Sequence, residues 1–256
     1  MVATFRAPFT PRDGLVAALR SRGFAVLEPG DVAALAGVSL DALHALAAGW
    51  NDLPPDEYLR DGGRYRQRRH ACFVTDVDGI KQAPPRAHYQ PLDYNALHGG
   101  LQRWFAPIAP ETVVAPAWGR LLRALGDRLR EVRPADPWYV EAHQFRIDTA
   151  DGIGRPTPEG AHRDGVDFVA VFIVGRHAIR GGETRIFEAD GPDGQRFTLI
   201  EPWSLLLLDD CRMIHETTPI QPEQTEPSAG PDEAGGPGYR DTLVVTYRAD
   251  GFQAEA

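Results

Sequence analysis

The series of short apolar segments after residue 138 constrains the fold of this chain more than any other feature of its sequence. The segments are rich in β-branched and aromatic residues, and turn pairs such as Asp151-Gly152 and Gly181-Gly182 separate them. Short strands at this spacing are typical of an antiparallel sandwich or barrel, whereas a parallel sheet would need helices between its strands. The predicted strands span 138–147, 166–174, 184–188, 196–200, 203–208 and 242–248.

The first half of the chain has mainly the spacing of helices. Its strongest helical segment is 117–132, where four leucines fall on one face and Pro134 follows as a stop. Further helices are predicted at 13–22 and 39–50, and a short strand at 24–27. We therefore expect one domain over 1–256, in which 1–137 is mostly helical support with the first strands and 138–250 is the β core.

Composition excludes several classes of protein. The chain has 27 basic and 36 acidic residues and a net charge of −9, which argues against nucleic acid as a partner. Its cysteines, Cys72 and Cys211, are too few for a disulfide framework or a cysteine-ligated zinc site. No apolar run approaches the ~20 residues that span a bilayer, and the N-terminus lacks the pattern of a signal peptide. We expect a soluble, cytoplasmic protein that does not bind membranes.

Two biased segments allow more than one interpretation. The basic run 64–70 is typical of a solvated charged face, although one of its arginines or Tyr65 could contact an anionic ligand. The segment 221–238 is rich in proline, glycine and acidic residues, which predicts an exposed, flexible loop. That loop is either a passive insertion or a mobile lid. No glycine-rich phosphate loop opens a helix, which disfavours nucleotide-dependent functions.

A candidate metal site comes from His162, Asp164 and His215. On an extended segment residues two apart point to the same side, so the first two side chains can converge on one ion. His215 follows a later apolar strand that can bring it beside them. Two histidines and one carboxylate form the facial triad of non-haem ferrous iron, which leaves positions open for an organic chelate and dioxygen. Zinc is the competing metal, but it favours sites richer in nitrogen or sulfur.

A candidate anion site lies at the start of the last predicted strand. Arg240 and Thr242 fall on the same face of that strand, where a guanidinium and a hydroxyl can bind one carboxylate together. The alternative for Arg240 is a surface salt bridge with a nearby acid. Arg248, at the far end of the strand, is a second candidate that lacks the paired hydroxyl.

Taken as a set, these motifs resemble the iron(II)/2-oxoglutarate-dependent dioxygenases. More narrowly, the chain resembles the branch of bacterial free L-amino-acid hydroxylases such as isoleucine 4-hydroxylase. The resemblance covers roughly 141–247, where the metal ligands, turn glycines and arginine occur in the family's order. It rests on His143-Gln144-Phe145-Arg146, Pro156-Thr157-Pro158-Glu159-Gly160-Ala161-His162-Arg163-Asp164-Gly165-Val166, Gly181-Gly182-Glu183-Thr184, Leu207-Leu208-Asp209-Asp210, His215 with Thr217-Thr218-Pro219, and Arg240-Asp241-Thr242.

The resemblance implies a double-stranded β-helix, or jelly-roll barrel, with helices against one outer face. It implies that His162, Asp164 and His215 bind Fe(2+), and that Arg240 and Thr242 hold the distal carboxylate of the cosubstrate 2-oxoglutarate. With O2, such an enzyme forms succinate and CO2 and hydroxylates its substrate. Halogenating relatives carry a small residue in place of Asp164, so the aspartate favours hydroxylation.

The substrate implied is a small molecule, a free L-amino acid or a related compound. Its carboxylate would need a cation, for which Arg146 and Arg163 are candidates, and its ammonium an anion, for which Glu159 and Asp167 are candidates. Gln144 is a neutral candidate, and His143 is interpreted as a buried, hydrogen-bonded histidine. The alternatives are a non-catalytic sensor that binds metal and 2-oxoglutarate in the same barrel, or another metal-dependent enzyme of the cupin type. The sequence does not indicate an oligomeric state.

Overall fold

A seven-stranded antiparallel sheet with the strand order β1-β9-β5-β12-β4-β2-β3 forms the centre of the structure, a computed structural model that describes residues 5–95, 97–223 and 236–254. Smaller sheets, β10-β7-β8 and β11-β6, lie beside it. The strands are β1 (Phe24–Leu27), β2 (Arg66–Thr75), β3 (Ile80–Gln82), β4 (Trp138–Asp148), β5 (Phe168–His177), β6 (Ile179–Gly181), β7 (Thr184–Glu188), β8 (Gly194–Phe197), β9 (Leu205–Asp209), β10 (Met213–Thr217), β11 (Ile220–Pro222) and β12 (Tyr239–Arg248). The α-helices are α1 (Leu15–Arg22), α2 (Pro29–Ala36), α3 (Leu40–Ala45), α4 (Pro110–Val113) and α5 (Pro116–Val132), with short 3-10 helices at Arg12–Gly14 and Leu46–Trp50.

The two faces of the large sheet have different surroundings because side chains alternate along each strand. In β4, Val140 and Ala142 pack in the core shared with the helices, whereas Glu141 and His143 line a cavity on the other face. The same alternation continues in β12 and β2. The face toward the helices is therefore apolar, and the face toward the cavity carries most of the buried polar and charged groups.

Helix α5 covers the apolar face of the sheet. The four predicted leucines, at 121, 122, 125 and 129, are all buried in the main core cluster. The helix begins at Pro116, whose fixed φ suits the first helical turn, and ends at Val132 before Pro134. These observations confirm the predicted helix, and with the antiparallel sheets they confirm a mainly β fold with supporting helices.

Other local predictions need correction. The predicted helix 39–50 is divided into α3 and a 3-10 helix that begins at Leu46. Ser39 does cap α3, since its hydroxyl accepts a hydrogen bond from the backbone N–H of Ala42 at 3.2 Å. The strand predicted at 196–200 is observed as Gly194–Phe197 and the one at 203–208 as Leu205–Asp209. Turns and neighbouring strands set these boundaries, so the pattern of apolar residues along the sequence does not reveal them.

The largest correction concerns the basic run at 64–70. It forms the start of β2, which lies between β4 and the edge strand β3 in the main sheet. Arg66, Arg68 and His70 are buried on the cavity face, with 6%, 4% and 5% of their surfaces exposed. The interpretation as a solvated charged face is therefore wrong for these residues.

The loop predicted at 221–238 is described only in part. Gln221 and Pro222 belong to β11, and residues 224–235 lie outside the described residues, so the choice between insertion and lid stays a prediction. Among the described residues no single helix has the length and apolar character to cross a membrane; only the bent pair Pro29–Ala36 and Leu40–Trp50 meets those criteria, and only when both halves are counted together.

Candidate functional site

The structure brings His162, Asp164 and His215 together in the lining of the cavity. His162 and Asp164 lie between β4 and β5, and His215 lies on β10. Backbone hydrogen bonds of 3.0 and 2.9 Å join His162 and His215 as an antiparallel bridge, which places their imidazoles side by side. The Asp164 carboxylate lies 3.8 Å from Nε2 of His162 and 3.6 Å from Nε2 of His215. One ligand atom from each residue lies within 4.8 Å of the others.

Hydrogen bonds fix the His162 imidazole and the backbone of the Asp164 loop, whereas the buried Nδ1 of His215 has no hydrogen-bond partner within the described residues. Nδ1 of His162 lies 3.0 Å from the carbonyl oxygen of Gly160, so Nδ1 carries the proton and Nε2 is free to bind a metal. Both carboxylate oxygens of Asp210 accept hydrogen bonds from the backbone of the Asp164 loop, at 3.0 Å from Asp164, 2.8 Å from Gly165 and 3.1 Å from Val166. Burial and the nearby Asp164 raise the pKa of Asp210 to about 7. The donor set of two imidazoles and one carboxylate fits a divalent metal such as Fe(II).

Arg240 points into the same cavity from β12. It is 3% exposed, and its Nε has no hydrogen-bond partner within the described residues. Burial and, to a lesser extent, the charge of Arg176 lower the pKa of Arg240 to about 9. Thr242 lies two residues further along the same face and also lines the cavity. Arg248 does not line it and instead donates to the carbonyl oxygen of Gly251 at 3.2 Å. An unpaired, buried guanidinium of this kind fits an anionic ligand.

The cavity has a volume of about 120 Å³ and reaches from the His162–Asp164–His215 cluster into the barrel. Its inner wall carries polar and charged side chains from β2, β4 and the segment between β3 and α4, which are Arg66, Arg68, His88, Gln90, Asn95, His98, Arg103, Glu141 and His143. Apolar side chains, among them Phe145, Val171 and Val244, complete the lining. Sequence reasoning missed most of this wall, because the residues come from distant segments that share no local motif.

A second cluster of histidines surrounds Glu141 on this wall. One oxygen of Glu141 lies 2.9 Å from Nε2 of His70 and 2.8 Å from Nδ1 of His88. Burial alone would raise the pKa of Glu141, but His88 and His70, which attract the carboxylate and donate hydrogen bonds to it, bring that pKa below its usual range. Arg68 donates to Nδ1 of His143 at 2.7 Å, which leaves the proton of that imidazole on Nε2. Two imidazoles thus hydrogen-bond to one carboxylate oxygen, and Nε2 of His143 lies 3.9 Å from the same oxygen, so the four side chains form a compact buried cluster whose donor atoms could also hold a metal ion.

This network predicts that the metal-free protein loses stability in mild acid. Burial lowers the pKa of His88 from 6.5 to about 4 and lowers that of His143 as well. Between these pH values the unfolded chain binds a proton at residue 88 that the folded chain does not, so stability falls as the pH decreases from about 6.5 to 4. For His88 alone the loss is about 3 kcal/mol. Urea unfolding of metal-free protein across this range measures it.

The matched variants are His88→Gln and His44→Gln. His44 is exposed on α3, so its replacement should leave the pH dependence of unfolding as steep as in the wild type. His88→Gln should flatten the dependence by about one proton. Equal steepness in all three proteins would contradict a neutral, buried His88.

Among the predicted substrate residues, only Glu159 lines the cavity. Its Oε1 lies 3.5 Å from Nε2 of His162, and its Oε2 is buried without a hydrogen-bond partner within the described residues. Gln144 and Arg146 lie on the opposite face of β4, because strand alternation turns even-numbered residues of this strand away from the cavity. Arg146 instead binds both carboxylate oxygens of Asp241, at 2.8 and 2.7 Å.

Arg163 and Asp167 also lie outside the cavity. The Arg163 guanidinium lies over the ring of Tyr94 and donates to the carbonyl oxygen of Cys211 at 3.3 Å. Asp167 forms an ion pair with Arg133 and accepts a hydrogen bond from the backbone of Ala249 at 2.8 Å. Both side chains therefore have partners outside the cavity and do not contribute to its lining.

A family model and several solved structures are similar to this chain. Residues 47–246 match the family model described as 2OG-Fe dioxygenase. The solved structure of a bsmA homologue from Methylobium petroleophilum PM1 is 49% identical to the chain, with 100% of both chains covered and a TM-score of 0.90. No curated protein sequence is similar enough to count as a match.

More distant solved structures share the fold. IDO from Bacillus thuringiensis is 17% identical, with 95% of this chain and 97% of that chain covered and a TM-score of 0.70. The Fe(II)/(alpha)ketoglutarate-dependent dioxygenase TqaL is 20% identical, with 93% and 86% covered and a TM-score of 0.67. An oxidoreductase of the 2OG-Fe(II) oxygenase family from Burkholderia pseudomallei is also similar, at a TM-score of 0.57. These similarities confirm the jelly-roll fold that the family resemblance implied.

Proposed function

Because the chain belongs to the 2OG-Fe dioxygenase family, whose members use Fe(II), 2-oxoglutarate and O2, we propose that it hydroxylates a free L-amino acid or a closely related small molecule. In the balanced reaction 2-oxoglutarate and O2 become succinate and CO2, and one oxygen atom enters a C–H bond of the substrate. The observation that carries this proposal is the convergence of the His162–Asp164–His215 cluster, Arg240 and a charged inner wall on one small cavity.

Different residues of the cavity bind the metal, bind the cosubstrate and exclude water in the proposed reaction. His162 and His215 would hold Fe(II) through Nε2 and Asp164 would hold it through a carboxylate oxygen, a three-residue donor set that would leave room for the keto acid and dioxygen. The bound iron supplies the redox chemistry that couples oxidation of 2-oxoglutarate to hydroxylation. Arg240 and Thr242 hold the distal carboxylate of 2-oxoglutarate, and the low-dielectric surroundings of Arg240 strengthen that contact. Apolar residues such as Val171 and Val244 exclude water from the reacting C–H bond.

The charges on the inner wall support a zwitterionic substrate. Arg103 is 2% exposed, donates to the side chain of Gln90 at 3.0 Å, and has no ion pair within the described residues. Burial lowers its pKa to about 10, which leaves it charged at neutral pH. With Arg240 occupied by 2-oxoglutarate, Arg103 is the cation free for a substrate carboxylate. Glu159, with its unpaired Oε2 beside His162, is the anion for the substrate's ammonium group. Arg103 thus takes the role that the sequence suggested for Arg146 or Arg163.

A panel of free L-amino acids tests the proposal. Purified protein with Fe(II), 2-oxoglutarate and ascorbate is scored for succinate release and for a mass gain of one oxygen on the amino acid. The same panel is run with the α-hydroxy acid and the carboxamide analogues of each hit, which lack the ammonium and the carboxylate respectively. We expect turnover of one or a few amino acids and of neither analogue.

Glu159→Gln provides the matched variant within the site. It keeps the size of the side chain and removes its charge, so kcat/KM for the amino acid should fall by about 10-fold or more while the KM for 2-oxoglutarate is unchanged. Hydroxylation of peptides, or of small molecules unrelated to amino acids, with none of the amino acids modified, would contradict the substrate class. Uptake of 2-oxoglutarate without oxygen consumption would favour a sensor protein instead.

A further inference from the structure

Gln90 contacts the metal-binding carboxylate directly, although no motif in the sequence marks it. It lies in the irregular segment between β3 and α4 and is 6% exposed. Its Nε2 donates to Oδ1 of Asp164 at 2.9 Å. Because a buried hydrogen bond to a charged acceptor is among the stronger ones in proteins, this contact orients the carboxylate.

The orientation of the Gln90 amide is itself determined by its neighbours. Its Oε1 accepts one hydrogen bond from Nδ2 of Asn95 and another from the guanidinium of Arg103, both at 3.0 Å. Two donors therefore meet the amide oxygen, which leaves Nε2 as the end that faces Asp164. Asn95 is 4% exposed and Arg103 is 2% exposed, so the network is shielded from water.

Because of this contact, the two carboxylate oxygens of Asp164 have different hydrogen-bonding surroundings. Oδ1 accepts the hydrogen bond from Gln90 and lies 3.8 Å from Nε2 of His162. Oδ2 lies 3.6 Å from Nε2 of His215 and accepts no side-chain hydrogen bond within the described residues. Oδ2 is thus the oxygen available to a metal, because the hydrogen bond from Gln90 engages Oδ1. Coordination through one oxygen keeps open a position that a two-oxygen carboxylate would occupy.

We propose that Gln90 is a positioning residue that restricts Asp164 to coordination through one oxygen, and that Arg103 connects this restraint to the substrate pocket. An anion bound to Arg103 would share the guanidinium that holds the oxygen of Gln90, so filling the pocket would act on Asp164 through two hydrogen bonds. The connection to the substrate rests on the proposed function. The restraint on Asp164 rests only on the metal ligands.

The Co(II)-loaded protein without substrate provides the test, because its visible absorption reports the number of ligands around the metal. In Gln90→Leu, Asp164 is free to bind through both oxygens. We expect a changed, weaker absorption spectrum and an affinity for 2-oxoglutarate that is lower by about 10- to 100-fold. Asn95→Ala, which removes one of the two donors to Gln90, should shift both quantities in the same direction by less. Circular dichroism and thermal unfolding of the metal-free variants establish that they fold.

Gln253→Leu is the matched control. Its Nε2 donates to the backbone carbonyl oxygens of Asp164 and Gly165 at 3.0 and 2.8 Å, so it contacts the same loop without contacting the carboxylate. We expect its Co(II) spectrum to resemble that of the wild type. If Gln90→Leu and Asn95→Ala both keep the wild-type spectrum and 2-oxoglutarate affinity, or if Gln253→Leu changes the spectrum as much as Gln90→Leu, the positioning role is wrong. The proposed function would fail separately, if the wild-type protein bound neither Co(II) nor 2-oxoglutarate.

Discussion

Asp164→Ala is expected to reduce succinate formation to the level of a metal-free control. The variant removes the single carboxylate among the proposed metal ligands and leaves two imidazoles, 4.6 Å apart between ring centres, that cannot hold Fe(II) in the same geometry. Loss of a residue that only supports a ligand costs about 10- to 100-fold in metal affinity or activity, so loss of the ligand itself should cost more. Succinate release and Fe(II) content measured on the same sample test this directly.

Asp193→Ala is the control for this variant. Asp193 is an exposed acid in the turn between β7 and β8, and its removal changes the net charge by the same amount. We expect wild-type turnover and iron content from it. Normal turnover in Asp164→Ala would overturn the assignment of the metal ligands, and with it the position of the cosubstrate.

Arg240→Met is expected to weaken 2-oxoglutarate binding with little change in metal affinity. The variant keeps much of the side-chain volume but removes a buried cation that has no ion pair within the described residues. Loss of one partner from a buried, hydrogen-bonded charge pair costs about 2–5 kcal/mol, which is roughly a 30-fold or larger increase in Kd. Anaerobic titration of the Mn(II)-loaded protein with 2-oxoglutarate measures it.

Arg248→Met separates the two arginines of the same strand. Arg248 lies at the other end of β12 and contacts the backbone of Gly251 rather than the cavity. Its replacement should leave the Kd for 2-oxoglutarate unchanged. If binding were lost in Arg248→Met and retained in Arg240→Met, the assignment of Arg240 would be wrong, and the cosubstrate would bind at the other end of β12.

Site residues that lie close together in the chain could be predicted from the sequence. His162 and Asp164 are two positions apart on an extended segment, and Arg240 and Thr242 are two positions apart on a strand, so a period of two places each pair on one face. The same alternation, applied strictly to the strand at 138–147, groups Glu141 with His143 and separates both from Gln144 and Arg146. Gln144 and Arg146 were candidates for substrate contacts because of the family resemblance, which does not report the face on which a side chain lies.

The burial of Arg66 and Arg68 could not be predicted from the alternation of residues along a strand. A run of four arginines at 64–69 has the composition of a solvated surface, since an unpaired buried charge is strongly unfavourable. In the structure, Asp56 compensates Arg66 at 2.7 Å, and the rings of Phe105 and Phe145 cover Arg68 at 3.7 and 4.4 Å. Asp56 lies 10 positions before Arg66, but no motif marks the two as partners, and Phe105 and Phe145 lie on other segments of the chain, so the sequence did not indicate that these charges are compensated.

The amino-acid sequence alone determined the periodicity of the strands, the apolar face of α5, and the local pairs that a metal and a dicarboxylate would need. Those features depend on neighbours within a few residues, and their physical cause is the geometry of a single helix or strand. The tertiary structure alone decided which faces meet across the barrel. It brought Gln90 to Asp164, 74 positions away, and buried the arginines of β2 against Phe145 and Asp56. Such contacts depend on cross-strand register and on the path of irregular segments, which the whole packed chain sets.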